Sequence, residues 1–140
     1  MTPASIRSAV AYIRGDAADR NDQGSTCEAI ARQHDCRIGH IFEDEPSPVR
    51  TGHRESFAQL CRVVEGGEAE VVIAARVDRL LRGAPEDDDL WKALGSSGAH
   101  LITPETGEVA VDTAGAVDAS VRRRLIEAFT GFGTTRSRRG

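Results

Sequence analysis

The sequence predicts an α/β fold: a single domain with a mostly parallel sheet of about four to five strands, flanked by helices and followed by a C-terminal helix. Three observations carry that expectation. Short apolar, β-rich runs alternate with stretches whose apolar residues recur at helical spacing. One run, Glu70-Val71-Val72-Ile73-Ala74-Ala75, is continuously apolar after its first residue, as in a central parallel strand covered on both faces. The length, 140 residues, suits one domain with one core.

The elements follow in order. Ser8 to Arg14 reads as the first strand, β-rich at Tyr12 and Ile13. Gly15 to Gly24 is polar and rich in Gly and Asp, and is predicted as a loop. Ser25-Thr26-Cys27-Glu28 has the form of a capping box, so a helix is expected from there to about Asp35. Arg37 to Phe42 is a second strand, and Glu43 to Pro48 an acidic loop broken by proline. From Arg54, residues Phe57, Leu60, Cys61 and Val64 mark a helix that Gly66-Gly67 stops. After the central strand, Pro85 opens a helix with Asp87, Asp88 and Asp89 in its first turn, where negative charge suits the dipole. Gly98 ends it, and Ala99 to Thr103 is a further strand. Residues 104 to 114 read as a loop or small hairpin. A last helix is expected over Val117 to Phe129, with Val121, Leu125, Ile126 and Phe129 on its apolar face. Residues 131–140 read as a basic, flexible tail with no helix-turn-helix domain beyond residue 130.

Composition narrows the function classes. The net charge of −4 argues against a surface that binds nucleic acid all over, so any DNA contact must come from local basic clusters. Aromatic residues make up only 4%, too few for a base-stacking platform. No apolar run reaches membrane-span length. No P-loop or dinucleotide-type glycine motif is present. With no secretory signal pattern, Cys27, Cys36 and Cys61 are expected to be reduced, half-buried thiols of a cytoplasmic protein. A metal site would have to recruit Cys27, His34, Cys36 and His40, whose spacing matches no metal motif, so neither metal nor cofactor is expected.

In a parallel sheet, the segments after strand C-termini gather at one edge, where ligands bind. Arg14 ends the first strand, and Asp78-Arg79-Leu80-Leu81-Arg82 follows the central one, so Arg14, Arg79 and Arg82 are predicted to converge. Arginine forks donate paired hydrogen bonds to phosphate and stay charged. Taken singly, each arginine also reads as a solvated surface residue, and Asp78 equally as a helix cap.

These residues resemble the catalytic domain of serine recombinases of the resolvase/invertase family. Tyr12-Ile13-Arg14-Gly15-Asp16 is similar to the family's Tyr-x-Arg-x-Ser strand end. Arg54-Glu55-Ser56-Phe57, after Val49-Arg50-Thr51-Gly52, is similar to its Arg-Pro-x-(Leu/Phe) helix start. Val77-Asp78-Arg79-Leu80-Leu81-Arg82 is similar to its Leu-Asp-Arg-Leu-x-Arg motif, and Leu101-Ile102-Thr103-Pro104 with Asp112-Thr113 to a later stretch. The resemblance covers about residues 8 to 130, and its specificity lies in the order and spacing of the motifs together.

For active members the resemblance implies a serine hydroxyl that attacks a DNA phosphodiester, forming a phosphoserine link while arginines stabilise the transition state without metal. Four subunits then exchange ends on paired sites. Carried over, Arg14, Arg54, Asp78, Arg79 and Arg82 take the catalytic positions, and Asp16 takes that of the nucleophile. The resemblance with this substitution implies a domain that does not cut DNA. Asp16 is expected to pair with Arg14, Arg79 or Arg82 and fill the phosphate pocket. Ser25 and Ser8 are the alternative hydroxyls; capping accounts for the first, and the second is expected at the far edge of the sheet. Arg122, Arg123 and Arg124, with tail residues Arg136, Arg138 and Arg139, are candidate phosphate contacts, or else solvated surface. The implied partners are DNA, a second copy, or an active recombinase, and the chain would be nucleoid-associated when bound. Gly131 and Gly133 interrupt the helix on which such proteins dimerise. The other readings are a non-catalytic α/β protein-interaction module and an active recombinase with an unexpected nucleophile.

Overall fold

A computed structural model describes residues 6–45, 55–81 and 87–111. Strand β1 (Arg7–Arg14) leads into helix α1 (Ala17–Gln33) and strand β2 (Cys36–Asp44). Helix α2 (Glu55–Glu65), strand β3 (Val71–Ala74) and the single-turn helix α3 (Val77–Leu80) follow. Helix α4 (Asp87–Ser97), strand β4 (His100–Thr103) and strand β5 (Gly107–Val109) complete the described chain.

The sheet has five strands in the order β2-β1-β3-β4-β5. The first four run parallel, and β5 pairs antiparallel with β4. Strand residues alternate between two cores, as the pleat requires. Val10, Tyr12, Val72, Ala74 and Leu101 face α2 and α4, packing on Phe57, Leu60, Val64, Leu90 and Leu94. Ala9, Ala11, Ile13, Val71, Ile73 and Ile102 face α1, packing on Cys27, Ile30 and Ala31. Burial on both faces is what the apolar run at Val71–Ala75 foretold. Within the stretch predicted as a loop or hairpin, residues 104–106 form a tight turn from β4 into β5, and residues 112–114 lie outside the described residues.

The first helix departs from expectation. Its N-cap is Asp16, not Ser25, so most of the predicted Gly15–Gly24 loop is helix. Asp16 is extended, and its Oδ1 accepts the Asp19 amide at 2.8 Å, satisfying a first-turn N–H. Gly15 supplies a backbone turn at φ 150° that side-chain-bearing residues rarely adopt. Ser25 and Thr26 therefore lie within α1 and are exposed, and the apparent capping box is not used as one. The misreading has a physical cause. The buried stripe of α1 is Gln23, Cys27, Ile30 and Ala31, so its first member is polar and the helical period is hard to see. The expected helix over Val117–Phe129, the tail and Pro85 lie outside the described residues.

Candidate active site

The C-terminal ends of β1 and β3 lie side by side, since Tyr12 is level with Ala74. Arg14 leaves the end of β1 and reaches the α3 turn beyond β3. Its Nη2 donates to the Asp78 carbonyl at 2.9 Å and its Nε to the Arg79 carbonyl at 3.3 Å. The structure thus brings Arg14, Asp78 and Arg79 together. Arg54 and Arg82 lie outside the described residues, as do Arg122, Arg123, Arg124, Arg136, Arg138 and Arg139.

The α3 turn is short but well anchored. Val77 and Leu80 are buried, and the Leu81 amide closes the turn on the Val77 carbonyl at 2.9 Å. The Glu105 carboxylate, in the turn after β4, accepts the Val77 amide at 3.2 and 3.3 Å. Asp78 is not the cap: the N-cap position is Arg76, which makes no side-chain capping bond. Instead Asp78 Oδ2 accepts from Arg76 Nη2 at 2.9 Å, while its Oδ1 is buried without a hydrogen bond.

Arg79 points toward the start of α1. Its Nη2 lies 3.1 Å from Asp19 Oδ2, and its Nε is buried with no hydrogen-bond partner. The same Asp19 oxygen accepts from Gln23 Nε2 at 2.9 Å. Gln23 is 3% exposed and clamps the end of β1, donating to the Arg14 carbonyl at 2.7 Å and accepting the Arg14 amide at 3.1 Å. The carboxylate that meets Arg79 is therefore Asp19. The expected pairing of Asp16 with Arg14 or Arg79 is not made, because capping α1 turns Asp16 back onto the Asp19 amide.

Asp19, Gln23 and Glu105 were missed from sequence. A signal did exist for the first two: Asp16, Asp19 and Gln23 follow one another at spacings of three and four, so one helix face presents them together. Glu105 carries no local signal, because its role depends on β4 lying beside β3. Asp44 is a further organiser. Its carboxylate accepts the Tyr12 hydroxyl at 2.7 Å and the Ser56 and Phe57 amides at 3.1 Å each, tying β1 and β2 to the start of α2.

The three cysteines are buried free thiols, and burial pushes the Cys27 thiol up to about 12. Among the described residues, no group of three or more His, Cys, Asp or Glu is placed to hold a metal ion. No described helix is long and apolar enough to cross a membrane.

A mostly parallel five-stranded sheet flanked by helices, with Arg14 and Arg79 at its strand ends beside a capped helix start, defines the class: a single α/β domain. The chain belongs to the resolvase family of serine recombinases, since residues 9–138 match the family described as "Resolvase, N terminal domain". No curated protein sequence matches it. Solved structures share the fold. A resolvase family site-specific recombinase from Streptococcus pneumoniae is 20% identical, with a TM-score of 0.63 over 97% of this chain and 100% of that one. The N-terminal catalytic domain of TP901-1 integrase is 16% identical, with a TM-score of 0.63 over 94% and 98%. The C-terminal catalytic domain of ISC1926 TnpA, an IS607-like serine recombinase, is 21% identical, with a TM-score of 0.60 over 91% and 81%.

Proposed function

We propose that this chain is a non-cleaving member of its family, a domain that takes part in DNA recombination by contacting DNA or another recombinase subunit without itself breaking strands. The observation that carries this reading is Asp16. It occupies the residue position of the attacking serine in the Tyr-x-Arg-x-Ser pattern, and its carboxylate is committed to the Asp19 amide at 2.8 Å. A carboxylate is a poor substitute for the hydroxyl. Its adduct with phosphorus is a labile acyl phosphate rather than a phosphate ester. Its charge also opposes approach: two unit anions ~4 Å apart repel by roughly 1 to 4 kcal/mol, depending on local dielectric. A second carboxylate, Asp19, stands on Arg79 and adds to that repulsion.

Arg14, Arg54, Arg79 and Arg82 line the phosphate pocket in this reading, with Arg79 already held by Asp19. Arg122, Arg123, Arg124, Arg136, Arg138 and Arg139 supply contacts to the DNA backbone that carry no sequence information. Residues 1–130 act as the domain and 131–140 as a basic arm.

The test uses labelled DNA that carries and flanks the chain's own gene. The parent and Asp16→Ser are incubated with it and run on a denaturing gel. The parent is expected to leave no protein joined to DNA, and Asp16→Ser restores the missing nucleophile. Protein-linked DNA formed by the parent overturns the proposal.

A further inference from the structure

We propose that Asp19 is a built-in competitor for DNA phosphate, seated on Arg79 where a phosphodiester oxygen would otherwise lie. The inference deepens the proposed function and rests on it for the class of ligand. Three observations place Asp19 in that role. First, one oxygen, Oδ2, takes both the Arg79 Nη2 contact at 3.1 Å and the Gln23 Nε2 hydrogen bond at 2.9 Å. Two donors that converge on one oxygen form an anion site, and here the anion belongs to the chain. Second, the fit to Arg79 is incomplete. Nε and Nη2 form one edge of the guanidinium fork, which suits two oxygens of a single ligand. Asp19 meets Nη2, while Nε is buried without a partner. A phosphate presents the second oxygen that this carboxylate does not. Third, the chain makes room for Asp19. A Cβ on residue 15 would collide with the Asp19 carboxylate, and a glycine stands there with φ 150°.

Asp19 and Asp16 then have separate tasks. Asp16 holds the helix start, and Asp19 neutralises the arginine. DNA gains Arg79 only by displacing Asp19, so the parent binds DNA without using that contact.

The experiment measures binding of a short fluorescent duplex of arbitrary sequence to the full chain, by anisotropy over a series of salt concentrations. Asp19→Asn keeps the shape and the Gln23 bond but removes the charge. It is expected to tighten binding by about fivefold at low salt, the factor carried by one partly exposed ion pair. The slope of log K against log salt is expected to steepen by about 0.9, the signature of one added phosphate contact. Adding Arg79→Gln to Asp19→Asn should return the slope to its parental value. In the otherwise native chain, Arg79→Gln should leave the slope unchanged, because that arginine is already occupied. This arm stands even if Asp19→Asn folds poorly. An unchanged slope for a folded Asp19→Asn, or a shallower slope for Arg79→Gln alone, overturns the proposal. Neither readout involves strand cleavage, so a parent that proved able to cut DNA would defeat the proposed function while leaving this result to be judged separately.

Discussion

Residue 16 is a helix cap and, in the proposed reading, also stands at the position of the attacking serine; the two roles are separable by substitution. Asp16 Oδ1 accepts the Asp19 amide at 2.8 Å, and no other described residue supplies that acceptor. Replacing Asp16 with Ala leaves a first-turn N–H to water and removes a negative charge from the helix N-terminus. Loss of such a cap costs about 1 kcal/mol, with a range of roughly 0.5 to 2. For a chain of 140 residues the entropy of unfolding is about 0.3 kcal/mol/K, so the melting temperature should fall by about 3 °C. Asp16→Ser and Asp16→Asn both keep a side-chain oxygen able to cap the first turn and should melt within about 1 °C of the parent. Far-UV circular dichroism on heating, with urea titration as a check on the slope, measures all three. If Ser and Ala at this position destabilise equally, the capping geometry is wrong. Asp16 would then be free to act elsewhere in the pocket.

Two further outcomes follow from the same geometry. Gln23→Ala should destabilise by about 2 to 4 kcal/mol in urea, since it strips partners from both the amide and the carbonyl of Arg14 at a buried site; a loss under about 0.5 kcal/mol contradicts the clamp. At the opposite edge of the sheet, hydrogen bonds from Arg7 hold the Glu108 carboxyl down at about 2, against an ordinary value of 4.5, with His100 also contributing. A carboxyl depressed in the folded state stabilises fully above its unfolded value and loses that contribution as pH falls through its folded one. The parent should therefore lose stability between about pH 4.5 and pH 2 more steeply than Glu108→Gln, and parallel acid profiles would refute the pairing.

What the sequence disclosed tracks the range of the forces involved. The parallel sheet was legible because Val71–Ala75 is apolar throughout and apolar residues fall at helical spacing on either side, at Phe57, Leu60, Cys61 and Val64 before it and at Leu90 and Leu94 after it. The meeting of Arg14 with the Arg79 segment was legible from topology, since parallel strand ends share an edge, while Arg82, predicted to join them, lies outside the described residues. The start of α1 was not. Ser25 heads a plausible capping box, yet the helix is capped at Asp16, where Gly15 turns the chain and Gln23 buries its amide against β1. The identity of the carboxylate on Arg79 was lost with that error. Once the helix begins at Ala17, Asp19 rather than Asp16 faces the arginine. Glu105 as the brace of α3 was out of reach for a different reason: it is 28 residues from Val77 and depends on strand order alone.

The central claim is that no side chain here forms a covalent link to DNA. Peptide mass mapping of the parent tests it directly, after incubation with DNA, acid trapping and exhaustive nuclease digestion. The account predicts that the peptides carrying residues 8, 16 and 25 keep their unmodified masses. A nucleotide mass on Asp16, or on Ser8 or Ser25 in its place, would contradict it.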